Sequence, residues 1–151
     1  MEFDNFRDII RFAMDNELEA QTFYEEASAR LENPALKELF TELAGEEKRH
    51  RDLLRALYTS NRFGDFFHED RDFQVAETVE TPALSTDMKP ADAFALAMKK
   101  EEAAMKEYEA LAEACRDEKQ KRLFLDLAAM ERGHKMKMEK AFTDIGFPEV
   151  W

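Results

Sequence analysis

The chain has 151 residues, long enough for one domain with a sizeable core. Its formal net charge of -12 argues against nucleic acid and against an anionic membrane surface as partners. The single cysteine, Cys115, excludes an internal disulfide and any Cys-x-x-Cys metal module in this sequence.

Glycine and proline number only four each, and apolar residues recur at helical rather than alternating spacing. That pattern predicts an all-α protein. No stretch approaches the ~18–20 apolar residues of a membrane span. The acidic start, Met-Glu-Phe-Asp-Asn-Phe, lacks a signal-peptide run, so a cytoplasmic location is expected.

The first helix is predicted from about Asp4 to Leu31. Its apolar seam is Phe6, Ile10, Ala13, Glu17, Ala20, Tyr24, Ala27 and Leu31. Glu32-Asn33-Pro34 makes a tight connection, with Asn33 as the N-cap and Pro34 at the first helical position. A second helix follows to about Tyr58, and so short a connection makes the pair antiparallel. Its seam is Leu36, Phe40, Leu43, Glu47, His50, Leu54 and Leu57. Glu47 and His50 thus stand one turn apart on the inward face, where leucine would be expected.

Residues 59–89 form the long crossover and must run the length of the bundle. They contain Gly64, Pro82, an acidic-aromatic patch from Asp65 to Asp70 and a Val/Thr stretch over Val75–Thr81. His68 lies outside every seam and reads as a surface histidine. Pro90 opens a third helix to about Ala114, with the seam Phe94, Ala97, Glu101, Ala104, Tyr108 and Leu111. Cys115, just beyond it, reads as a small core residue. Asp117 caps a fourth helix to about Thr143, closed by Gly146 and Pro148. In the tail, 144–151, Phe147 and Trp151 should dock on the bundle or on a partner chain, and no fifth helix is expected.

An offset of 84 residues relates the two halves. It carries Glu17 to Glu101, Tyr24 to Tyr108, Glu47 to Glu131 and His50 to His134. The chain is therefore a tandem repeat of a helix pair, each bearing one seam glutamate and then a Glu-x-x-His. The choice of Glu101 over Glu102 rests on this offset. Glu17 lies 16 residues before Asn33, and Glu47 and His50 lie 14 and 17 after it. At ~1.5 Å per residue all three reach one level, and the same arithmetic holds about Asp117.

Four glutamates and two histidines should thus meet in the core. Mixed carboxylate and imidazole donors suit iron, manganese or zinc, and four carboxylates neutralise two divalent ions. One glutamate from each of two helices plus a Glu-x-x-His from the other two is the di-metal carboxylate pattern. The competing explanation is a layer of buried ion pairs, which six positions under one offset disfavour. Tyr24 and Tyr108 could be packing residues, or could hydrogen-bond a metal-binding carboxylate of the opposite half. Met14, Met98, Met105, Met130 and Met138 read as core filler.

At these residues the sequence resembles the rubrerythrin-like branch of the ferritin-like superfamily. The resemblance covers about Ile10–Tyr58 and Phe94–Phe142, through Glu-x-x-Ala-x-x-x-Tyr followed by Leu-Ala-x-x-Glu-x-x-His. It implies an antiparallel four-helix bundle with a two-iron centre. Glu17 with His50 would hold one ion, Glu101 with His134 the other, and Glu47 and Glu131 would bridge. Two departures stand out. Ala104 occupies the position of a further glutamate in rubrerythrins proper, which brings the ligand set closer to that of bacterioferritin, and a rubredoxin module is absent.

The resemblance implies reduction of peroxide or dioxygen with electrons from an external donor such as a rubredoxin-like protein. The alternatives are iron oxidation, storage or delivery, a di-iron oxygenase whose pocket lies beside Ala13, Ala20, Ala97 and Ala104, and a purely structural bundle. A homodimer is expected, and the long crossover would permit helix exchange between protomers.

Overall fold

The structure, a computed structural model, describes residues 6–67 and 83–145. The Val75–Thr81 stretch, His68, Phe147 and Trp151 lie outside the described residues. The described part holds four α-helices: α1 (Phe6–Arg30), α2 (Pro34–Tyr58), α3 (Pro90–Ala114) and α4 (Glu118–Ile145). The second pair starts 84 residues after the first at both helices, so the repeat in sequence is a repeat in architecture.

Local signals set these limits. Asn33 stands in extended conformation and its side chain accepts from the Ala35 and Leu36 amides at 3.0 and 3.1 Å. It thereby satisfies two amides that would otherwise lack partners at the start of α2. Asp117 Oδ2 accepts from the Gln120 amide at 3.2 Å at the start of α4, and Pro90 opens α3. The fourth helix extends to Ile145, two residues beyond the sequence expectation.

Side-chain contacts give the helix directions. Arg7 donates to the Tyr58 carbonyl at one end, and Ser28 meets Thr41 at 2.7 Å at the other, so α1 and α2 are antiparallel. Arg132–Glu109 at 3.3 Å and Lys135–Glu102 at 3.8 Å make α3 and α4 antiparallel. Tyr24–Glu101 and Tyr108–Glu17 set α3 antiparallel to α1. Consequently α2 and α3 point the same way, and the end of α2 and the start of α3 lie at opposite ends of the bundle.

Two apolar clusters fill the ends of the core. One holds Phe23, Tyr24, Leu36, Phe40, Leu43, Phe94 and Met138, with Phe40 and Phe94 stacked at 5.2 Å between ring centroids. The other holds Ile9, Ile10, Leu54, Leu57, Tyr108, Leu111, Phe124 and Leu127. The start of the crossover belongs to this second cluster. Phe63–Phe66 forms a short 3-10 turn, η1, and Phe63, Phe66 and Phe67 are buried. Phe67 stacks on Phe6 at 4.1 Å, and the Phe66 carbonyl accepts from the Arg116 amide at 2.9 Å. Cys115 is buried beside it as an inert core thiol, which burial pushes up to about 12. The alanines raised as a pocket lining are packing residues: Ala13 and Ala97 are buried in the clusters, and Ala20 and Ala104 pack against them.

Candidate metal centre

Between the two apolar clusters lies a polar layer. Glu17 comes from α1, Glu47 and His50 from α2, Glu101 from α3, and Glu131 and His134 from α4. All six are at most 4 % exposed. The inward seams place them there, because each seam carries a charged residue midway between its large apolar ones. Among the described residues two groups could each hold a metal ion: Glu17, Glu47, His50 and Glu131, and Glu47, Glu101, Glu131 and His134. Within each group the donor atoms lie within 4.8 Å of one another, and Glu47 and Glu131 belong to both.

Both histidines turn Nδ1 into the layer. His50 Nδ1 meets Glu131 Oε1 at 2.9 Å, Glu17 Oε2 at 3.6 Å and Glu47 Oε2 at 3.8 Å. His134 Nδ1 meets Glu47 Oε1 at 2.7 Å, Glu131 Oε2 at 3.6 Å and Glu101 Oε2 at 3.7 Å. Each histidine thus hydrogen-bonds the glutamate of the other motif. The two rings lie nearly parallel, 5.7 Å apart at 6°.

The two tyrosines reach across the bundle. Tyr24 donates to Glu101 Oε1 and Tyr108 to Glu17 Oε1, each to the opposite half. Of the two readings left open by the sequence, the geometry is that of the cross-bundle hydrogen bond. The remaining oxygens, Glu17 Oε2 and Glu101 Oε2, are buried without a hydrogen-bond partner among the described residues. Both point at a histidine Nδ1. Buried carboxylate oxygens rarely remain unpaired, and a cation between the oxygen and the imidazole would satisfy them. The donor set therefore fits a pair of transition-metal ions.

The metal-free electrostatics are strained in the same sense. Burial and then the negative charge of Glu131 raise Glu17 to about 7. Burial would depress His50, yet the hydrogen bond to Glu131 and the negative charges of Glu17 and Glu131 outweigh it and push it up to about 9. His134 is likewise raised, against burial, by Glu131 and Glu46. Burial opposes ionisation of Glu131, but both histidines hold it below the ordinary carboxylate value.

Two residues at or near the layer, Glu46 and Glu107, stand outside the seams, and a third, Met130, departs from its expected place. Glu46, half-buried, hydrogen-bonds His134 Nε2. Glu107, beside Tyr108 on α3, is raised by burial to about 8. Met130, expected in the core, is exposed, because it lies one residue off the seam through Leu127 and Glu131. The usable signal was failure of the offset, which pairs Glu46 with Met130 and Phe23 with Glu107.

The profile of the Rubrerythrin family matches residues 8–142. The chain belongs to the rubrerythrin family. A solved structure of a hypothetical protein from Pyrococcus furiosus is 30% identical to this rubrerythrin-family chain. Their TM-score is 0.72, over 93% of this chain and 89% of that one. No curated protein matches the sequence. The family gives a physical context for the buried Glu/His groups, which are compatible with a di-iron site. Among the described residues, no helix is long and apolar enough to cross a membrane.

Proposed function

We propose that this chain is a non-haem di-iron oxidoreductase that reduces hydrogen peroxide, or dioxygen, with electrons from an external donor such as a rubredoxin-like protein. The observation that carries the reading is the pair of carboxylate oxygens, without a hydrogen-bond partner among the described residues, that face two imidazole Nδ1 atoms inside one buried layer. Glu17 and His50 would hold one iron, Glu101 and His134 the other, with Glu47 and Glu131 shared. When bound, the two ferrous ions supply two electrons, which with two protons convert one hydrogen peroxide to two waters.

The chain's own residues supply the setting. Four carboxylates balance the charge of two divalent ions and leave the buried layer near neutral. Tyr108 and Tyr24 each fix one oxygen of Glu17 and Glu101, so that the other is aimed inward before metal arrives. The apolar clusters on either side keep bulk water from the layer. Manganese or zinc could occupy the same donors, and zinc would bring no redox chemistry.

The test is stopped-flow reoxidation of the ferrous protein with peroxide and dioxygen as separate oxidants. Peroxide much the faster, with turnover sustained by an added reductant, is the expected result. Faster reaction with dioxygen followed by release of ferric iron would replace this reading with iron handling. Oxidation coupled to hydroxylation of an added organic compound would replace it with an oxygenase. Elution volume in the same preparation reports the proposed homodimer.

A further inference from the structure

The two histidines share one inward geometry and differ behind it. His134 Nε2 hydrogen-bonds Glu46 Oε2, and the side chain of Glu46 is only 12% exposed. The other oxygen of Glu46 lies 3.9 Å from Arg49. His50 Nε2, by contrast, is buried with no hydrogen-bond partner among the described residues. The cause is a break in the repeat. The offset of 84 residues carries Glu46 to Met130, so the residue that stands to His50 as Glu46 stands to His134 has no carboxylate. Met130 is also 37% exposed.

A metal on Nδ1 leaves the imidazole proton on Nε2. At His134 that proton has a charged acceptor, which fixes the ring and increases electron density at Nδ1. At His50 it has none among the described residues. Partners of this kind are worth about 10–100-fold in metal affinity. We propose that Glu46 is a positioning residue that makes the two metal positions unequal, so that a divalent transition metal fills the Glu101–His134 position before the Glu17–His50 position. This rests on the di-metal reading above and adds an order of loading to it.

The experiment is an anaerobic titration of the metal-free full chain with Co2+, followed by its visible absorption bands and by calorimetry. Wild type should load in two steps, the first about 10-fold or more tighter. Glu46→Leu should weaken the first step by that same factor, to the affinity of the second, and leave the second unchanged. Glu46→Gln, whose amide oxygen still accepts, should recover part of the loss. Met130→Glu should tighten the second step toward the first, and it keeps the proposal testable if Glu46→Leu does not fold. Equal weakening of both steps by Glu46→Leu, or no change in either, would overturn the proposal. So would a Met130→Glu protein whose second step is unmoved. Two steps of equal affinity in wild type would remove the inequality and leave the di-metal centre standing. Absence of Co2+ binding would remove the centre itself.

Discussion

At either end of the bundle the inward positions are filled by aromatic and aliphatic side chains, while across the middle the same seams carry four glutamates and two histidines. The ends are self-sufficient: Tyr24, Phe40 and Phe94 pack ring against ring, as do Phe6, Phe67 and Phe124. Their burial lowers the free energy of the fold without any partner from outside. The middle layer is different. Six buried ionisable groups cost several kcal/mol unless paired, and hydrogen bonds among the described residues leave Glu17 Oε2 and Glu101 Oε2 unpaired. The ends thus supply stability, whereas the layer has the donor chemistry of a site for cations.

Substitutions in the two regions should therefore separate stability from metal binding. The largest effect is expected from Glu131→Leu, which removes a donor shared by both groups and the closest partner of His50. Metal analysis should show both ions lost. Phe40→Ala, in an apolar end, should instead cost about 3–5 kcal/mol in chemical denaturation. The fraction that remains folded should still bind two ions. Replacing all six polar residues of the layer by apolar ones of similar volume should leave metal-free stability unchanged or raise it by about 1–4 kcal/mol, while abolishing binding. Tyr24→Phe leaves Glu101 Oε1 without its donor and should lower affinity at the Glu101 position by about 10-fold, read by the same Co2+ titration.

The pH dependence sharpens the contrast further. Glu17 rises from 4.5 to about 7 and His50 from 6.5 to about 9 on folding. Both bind protons more tightly folded than unfolded, and His134 shifts the same way. Their contribution to metal-free stability is present at low pH and is lost as pH rises through about 7 and then about 9. Glu131, shifted down, contributes with the opposite sign and only on the acid side of its ordinary range. Metal-free protein should thus melt at lower temperature as pH is raised between about 5 and 9. Metal must displace those protons, so stabilisation by Co2+ should grow over the same window, with proton release measurable by calorimetry.

Much of this architecture was legible in the residues. Asn33-Pro34 and Pro90 mark helix starts because their backbone chemistry admits few alternatives, and the seams mark the inward faces. Glu17 and Glu101 were legible from their seams together with the offset, which alone separates Glu101 from Glu102, since a single glutamate on a charged helix carries little information. Phe63, Phe66 and Phe67 were not, because an acidic-aromatic patch in a connection has no periodicity to reveal burial. Glu46 was hidden by its own neighbour. The seam points to Glu47, and only the fold shows that Glu46, on the flank of α2, reaches the outer nitrogen of a histidine on α4.

The central claim is that the polar layer is a two-metal centre. The most direct measurement is metal analysis of the chain purified from an iron-replete host, paired with thermal melting before and after a chelator. Two irons per chain and a marked fall in melting temperature on their removal are predicted. Protein without bound metal, whose melting is indifferent to both chelator and added Fe2+, would contradict the account.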